Sequence, residues 1–256
     1  MKGDQDMRRR STLAVVLLCG LAFCWSLPAQ AQSDDYKFQV TPYLFALSVD
    51  GTITEQGRTA NVNASFSDII DHLDMAATVY FDARFGRWRI LVDNMYLKVS
   101  NERSTPLPLF SSVNVASKVW IADPEGGYEV LRGEGRELDV TAGVRVWTVK
   151  NDLTLFRQNV QVDRGGGSRS IVDPVVGVRY TSDLAHKLFV FAKGDVGGFS
   201  AGATLDWQAF GGIGFKVHDK IPLFVGYRYL SIENEPRDSV YDIALKGVIA
   251  GVGFRF

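Results

Sequence analysis

The C-terminal segment alternates residue by residue between two faces. Val248, Ala250, Val252, Phe254 and Phe256 share one; Gly247, Ile249, Gly251, Gly253 and Arg255 share the other. A period of two belongs to a β-strand and cannot serve a helix. A soluble edge strand this apolar invites edge-to-edge association. Against lipid the same strand is stable, provided that the sheet closes and every backbone group is paired. This one segment therefore predicts an all-β fold, an antiparallel up-and-down transmembrane barrel.

The other end of the chain points to the same compartment. Arg8, Arg9 and Arg10 precede an apolar run from Leu13 to Leu27, which is followed by Pro28 and the small-residue pattern Ala29-Gln30-Ala31. This is the layout of a secretory signal peptide cleaved after Ala31, giving a domain division of 1–31 and 32–256. The run is shorter than the 20 or so residues of a membrane helix. Both cysteines, Cys19 and Cys24, fall inside the signal, so neither disulfide nor thiol chemistry is expected in 32–256. Losing Lys2, Arg8, Arg9 and Arg10 together with Asp4 and Asp6 moves the net charge from −1 to about −3, which gives no footing for nucleic acid.

About ten alternating segments separated by turn chemistry follow one another from Phe38 to Phe256, with eight or twelve strands as alternatives. The first is expected to end at Asp50-Gly51. Strands near Ala76 to Phe85 and Trp88 to Ser100 meet at Gly86-Arg87, a hairpin turn. The next, near Val113 to Arg132, carries Pro124 and Gly126-Gly127, where a bulge is expected. Leu153 to Val162 reads as an outward extension of the two strands flanking it. Phe66, Ile69, Ile70 and Leu73 fall at i, i+3, i+4 and i+7 behind Ser65, predicting a short amphipathic helix in an outer loop that could plug or lid the mouth. Short junctions alternate with longer ones, the pattern of periplasmic turns and outer loops.

Charged groups are costly toward lipid, so the alternation sorts them inward. The expected lumen set includes Asp82, Arg84, Asp93, Asp139, Arg145, Asp173, Arg179, Lys193, Asp195, Asp206 and Arg228, with Lys216 and Arg255. On the strand near Thr204 to Val217, Leu205, Trp207, Ala209, Ile213, Phe215 and Val217 face out while Asp206, Gln208, Gly212, Gly214 and Lys216 face in. The signs nearly cancel. A narrow barrel can use such residues as an ion-pair core or as a selective conduit, and both readings stay open. Phe85, Trp88, Phe254 and Phe256 at one end, with Tyr43, Trp207 and Tyr229 nearer the other, are expected to form aromatic girdles.

Catalytic signals are weak. His72, His186 and His218 fall in a loop helix and two turns, too dispersed for a triad or a metal cluster. Gly165-Gly166-Gly167 has no following Lys-Ser/Thr and reads as a loop tip. No cofactor, metal or enzymatic activity is expected; a hydrolase or acyltransferase would need outer-loop polar residues to converge.

The segments Val172 to Tyr180, Gly194 to Phe199 and Gly226 to Leu230, together with Phe256, resemble the small outer-membrane β-barrel superfamily that includes the OmpW-like and OmpA-like transmembrane domains. The resemblance covers most of residues 32–256. It implies a monomeric or weakly associating barrel in the outer membrane of a Gram-negative bacterium, surrounded by outer-membrane lipid. It also implies delivery by periplasmic chaperones and insertion by the outer-membrane assembly machinery, which reads the aromatic signature of Phe254 and Phe256. Two functions fit: a porin-like narrow passive channel for small or amphipathic solutes, or a closed structural or surface-binding barrel acting through its outer loops.

Overall fold

The computed structural model describes residues 37–256 except 56–57, 105–111, 134, 158–159 and 236–238. The expected signal peptide lies outside the described residues. The elements are β1 (Lys37–Glu55), β2 (Arg58–Ala64), α1 (Phe66–Asp71), β3 (Leu73–Phe85), β4 (Trp88–Ser104), β5 (Ser112–Gly133), β6 (Arg136–Arg157), β7 (Val160–Asp183), β8 (Leu188–Gly198), β9 (Leu205–His218), β10 (Ile221–Asn234), β11 (Ser239–Val252) and β12 (Phe254–Arg255). From β3 to β11 each strand pairs antiparallel with its neighbours in chain order, and β1 closes the sheet by pairing both β3 and β11. β2 pairs β1 and no other strand, and β12 continues β11 beyond Gly253 along the same partner, so among the described residues ten strands form the wall.

The alternation that predicted the strands also sorts their side chains. Leu44, Ile90, Val140, Val172, Val176, Ile213, Phe215, Val225 and Val248 project outward and are exposed, Leu44 at 77%. Such an apolar belt is unfavourable in water and favourable in hydrocarbon. Aromatic residues mark its margins: Trp88 packs edge-on against Tyr128 with centroids 4.9 Å apart near the short-turn end, and Trp207 stacks on Tyr229 at 4.9 Å toward the other. Gly86 has φ +61, which lets β3 and β4 join through Gly86 and Arg87 alone.

The wall is uneven in height. β5, β6 and β7 run 22, 22 and 24 residues, about twice the 9–11 tilted residues that cross the hydrocarbon. β8 has only 11. Leu153 to Val162 is thus the outward extension expected of it, shared between β6 and β7.

Three boundaries differ from expectation. Asp50 and Gly51 are not a turn: β1 continues to Glu55 and returns as β2, pairing from Val49↔Ala64 to Glu55↔Arg58. No bulge occurs at Pro124 or Gly126-Gly127, where β4 and β5 stay in register; the shift falls between Glu129 and Leu131 against β6. Pro124 lies on the exposed face. Leu73 is not helical. α1 stops at Asp71, and Leu73 opens β3 in register with Val99. Because the chain makes a helix before descending, β1 meets β3 only from Lys37↔Arg84 to Pro42↔Val79. The ladder ends at Pro42, which has no N–H to give.

Candidate functional site

The barrel interior has three zones. At the end carrying the long strands, Leu47, Met95, Ile121, Trp147, Leu230, Ile232 and Leu245 form a buried apolar layer, with Ile69 of α1 packed onto it. Ser65 caps α1: its hydroxyl accepts from the Asp68 N–H while the Asp68 carboxylate accepts from the Ser65 N–H at 2.9 Å. Those bonds from the Ser65 hydroxyl and N–H hold the exposed Asp68 carboxyl below the usual carboxylate range. Of the four residues expected to plug the mouth, only Ile69 is buried. Phe66 and Ile70 are exposed, and Leu73 belongs to β3.

Below this layer lies a cluster of ion pairs that crosses the lumen. Arg145 on β6 is completely buried. Its Nε donates to Asp123 Oδ1 on β5 at 2.7 Å, Nη2 to Asp195 Oδ1 on β8 at 2.7 Å and Nη1 to Asp206 Oδ1 on β9 at 2.6 Å. The remaining Asp206 oxygen accepts from Trp147 Nε1 at 2.8 Å. Gln208 links this centre to a second one, donating to Asp195 Oδ2 at 2.7 Å and accepting from Arg228 Nη2 at 2.6 Å. Arg228 Nη1 donates to Asp93 Oδ2 at 2.6 Å, and the Tyr43 hydroxyl donates to Asp93 Oδ1 at 2.8 Å. Lys193 pairs with Glu125 and lies 3.5 Å from Asp195. Strands β1, β4, β5, β6, β8, β9 and β10 are thereby tied together across the interior.

A third cluster sits nearer the short turns. Arg89 Nη1 donates to Asp139 at 3.0 Å and Nη2 to Glu137 at 3.0 Å, with Asp82 at 3.4 Å. Arg179 shares Asp139 at 2.9 Å, and Arg84 pairs with Glu137. Desolvated charges are tolerable in such a place only because each has a partner with good geometry.

The expected lumen residues lie on the inward face, Lys216 at its short-turn margin where it pairs with the exposed Asp183 at 2.7 Å, but Asp173 stands apart. It is fully buried, makes no ion pair among the described residues, and accepts the Ala203 N–H at 2.6 Å, anchoring the turn between β8 and β9. Tyr43 is likewise not a girdle residue; it faces inward and bonds to Asp93. Asp93 and Asn94 also separate cleanly: Asp93 faces in, while Asn94 accepts from Trp120 Nε1 at 3.2 Å on the other face. Sequence reasoning missed Arg89, Asp123, Glu125, Glu129 and Glu137. The signal was present in strict parity, Arg89-Leu91-Asp93-Met95 on β4 and Ile121-Asp123-Glu125-Gly127-Glu129 on β5. An expected bulge at Pro124 broke that parity on β5.

The third zone, toward the short turns, is hollow. Phe191 stands among Phe189, Phe210 and Phe224, its ring centroid 6.5, 6.4 and 5.4 Å from theirs. They border a chamber of about 120 Å³ that adjoins a more polar one of about 230 Å³; Gln39, Arg179, Thr181, Phe189 and Arg255 line both. Inward glycine makes room for these rings: a Cβ on Gly214 would fall 2.1 Å from Phe189 Cζ.

His72, His186 and His218 are exposed and separate, and among the described residues no group of three or more His, Cys, Asp or Glu is arranged to hold a metal ion.

No family model matches this sequence, and no curated protein does. Solved structures match by shape. The outer-membrane protease OmpT from Escherichia coli superposes with a TM-score of 0.55 at 9% identity, over 90% of this chain and 99% of that one. The translocator domain of the autotransporter NalP from Neisseria meningitidis gives 0.45 at 14% identity, over 96% and 98%. At 9% identity the likeness to OmpT is one of fold: this chain is built as an outer-membrane β-barrel is, and neither a reaction nor a substrate follows from that.

Proposed function

We propose that this protein is a closed barrel of the Gram-negative outer membrane that acts at the cell surface through its long-strand end and does not conduct solutes in the state described. The observation that carries this reading is the filled interior. Arg145, Asp206 and Leu230 show no solvent-accessible surface, and the layer around them spans the lumen from wall to wall. A conduit needs a continuous aqueous path, and packed ion pairs roofed by apolar side chains leave none. The tongue formed by β5, β6 and β7 supplies the surface that could meet a partner, with exposed Lys150, Asn151 and the run 165–170 on its upper part. In this reading the short turns face the periplasm, and the outward rings of Phe254 and Phe256 are what the assembly machinery recognises. Phe256→Ala would then lower the yield of inserted barrel without changing the stability of what does insert.

A liposome swelling assay with a graded series of sugars and amino acids tests the closed state. The proposal predicts swelling no faster than in protein-free vesicles. Size-dependent swelling would instead support the narrow-channel reading, in which the hollow zone is half of a path and the ion-pair cluster its constriction.

A further inference from the structure

The hollow zone carries unmatched recognition chemistry. Its smaller chamber is mostly apolar, walled by Phe189, Phe191, Phe210 and Phe224. Its volume, about 120 Å³, is close to the roughly 150 Å³ of an apolar cavity that takes up benzene. The charged groups on its lining are unbalanced: Arg179, Lys193, Arg228 and Arg255 against Asp93 alone. Three of these cations are already engaged, Arg179 by Asp139, Lys193 by Glu125 and Arg228 by Asp93. Arg255 differs. Its Nε donates to Gln39 Oε1 at 2.7 Å and its Nη1 reaches the Asp219 carbonyl at 3.5 Å, both neutral acceptors; no carboxylate among the described residues lies within ion-pair distance of it, and Asp82, which feels its charge across the larger chamber, is itself shared by Arg89 and Arg179. Arg255 stands where the two chambers meet. Two further groups at the site are unsatisfied: the Tyr80 hydroxyl and Thr181 Oγ1 are buried without a hydrogen-bond partner. Buried polar groups are rarely left so without water or a ligand to serve them.

We infer that this chamber is a binding site for a small aryl carboxylate, entering from the short-turn end. The ring lies among the four phenylalanines, edge or face to theirs. The carboxylate meets the Arg255 guanidinium in a paired, charge-assisted contact and accepts from Tyr80 and Thr181. The site lies on the opposite side of the ion-pair cluster from the proposed surface, so it stands whether or not that surface has a partner.

The experiment is calorimetric titration of sodium benzoate into the folded barrel held in lipid nanodiscs, which keeps detergent tails out of the chamber. Benzamide, neutral and of the same shape, is the control. Benzoate should bind to the native protein, and Arg255→Gln should weaken it at least tenfold while leaving benzamide unchanged. Thr181→Phe, which fills the junction, should abolish both; its folding is checked by heat-modifiable gel mobility, and if it fails to fold, Arg255→Gln alone decides. No benzoate heat with the native protein, or equal affinity in Arg255→Gln, would overturn the inference. Solute flux through the barrel would refute the closed reading and leave this result intact.

Discussion

The two halves of the barrel interior obey the same alternation and end up with opposite character. At mid-barrel and above, inward positions carry groups that answer one another in charge and size: Arg145 against Asp123, Asp195 and Asp206, Leu230 against Trp147 and Ile232. The result is a packed interior. Toward the short turns the β3, β4, β6 and β7 side still carries paired charges, but inward positions on β8, β9 and β10 carry phenyl rings, with glycine beside them on β9 and β10, and the rings meet one another without filling the space between them and Arg255. A period of two places residues inside a barrel, but it is the partner across the lumen that decides whether the inside is solid.

Substitutions can break this contrast or sharpen it. Arg145→Met should have the largest effect, because it strands three buried carboxylates; a loss of about 3–5 kcal/mol is expected from urea unfolding in lipid vesicles. If the cost were below 1 kcal/mol, the cluster would have to be open to water. Leu230→Ala, in the packed half, should cost about 3 kcal/mol. Phe210→Ala, in the hollow half, removes a larger side chain yet should cost only about 1–2 kcal/mol, since its ring already borders empty space. Reversal of that order would contradict the comparison. Ile69→Ala should cost about 2 kcal/mol and, in the closed reading, leave conductance unchanged, because the layer beneath α1 is proposed to seal the lumen without it.

Ser65→Ala should have the smallest effect, about 1 kcal/mol on the helix alone. The accompanying pH dependence has a definite sign. The Asp68 carboxyl titrates below its ordinary value in the folded state, so its contribution is present above the ordinary carboxylate range and is lost as pH falls through the lowered value. Amide-exchange protection at Asp68 and Ile69 should drop over that acidic window in the native protein, and the step should be smaller in Ser65→Ala, where the backbone N–H of residue 65 is the one capping donor left to the Asp68 carboxylate.

Much of the fold was legible because lipid imposes a strict rule on each strand. Outward Val172, Val176, Val178, Ile213 and Phe215 and inward Asp139, Arg145, Asp195 and Asp206 could each be placed by parity alone. The partners could not. Which carboxylate faces Arg145 depends on strand stagger across the lumen, a property of closure that no single segment encodes. Parity was also lost where a local signal competed with it. Pro124 suggested a bulge, but an outward-facing proline is tolerated in the unshifted ladder, and the misplaced bulge hid Asp123 and Glu125. Leu73 fits the helical spacing of Phe66, Ile69 and Ile70, yet pairing with β4 takes it into the sheet. Parity puts Asp173 inside as well, but the Ala203 N–H it accepts is not legible, since a backbone N–H in a distant turn leaves no trace in a charge pattern.

The most direct test of the central claim, that mid-barrel is sealed, is single-channel recording of the folded wild-type barrel in a planar bilayer, with Arg145→Met alongside it. The account predicts no discrete conductance steps from the wild type, and steps or flickering current only once the cluster is disrupted. Stable ion-selective steps from the wild type would contradict it.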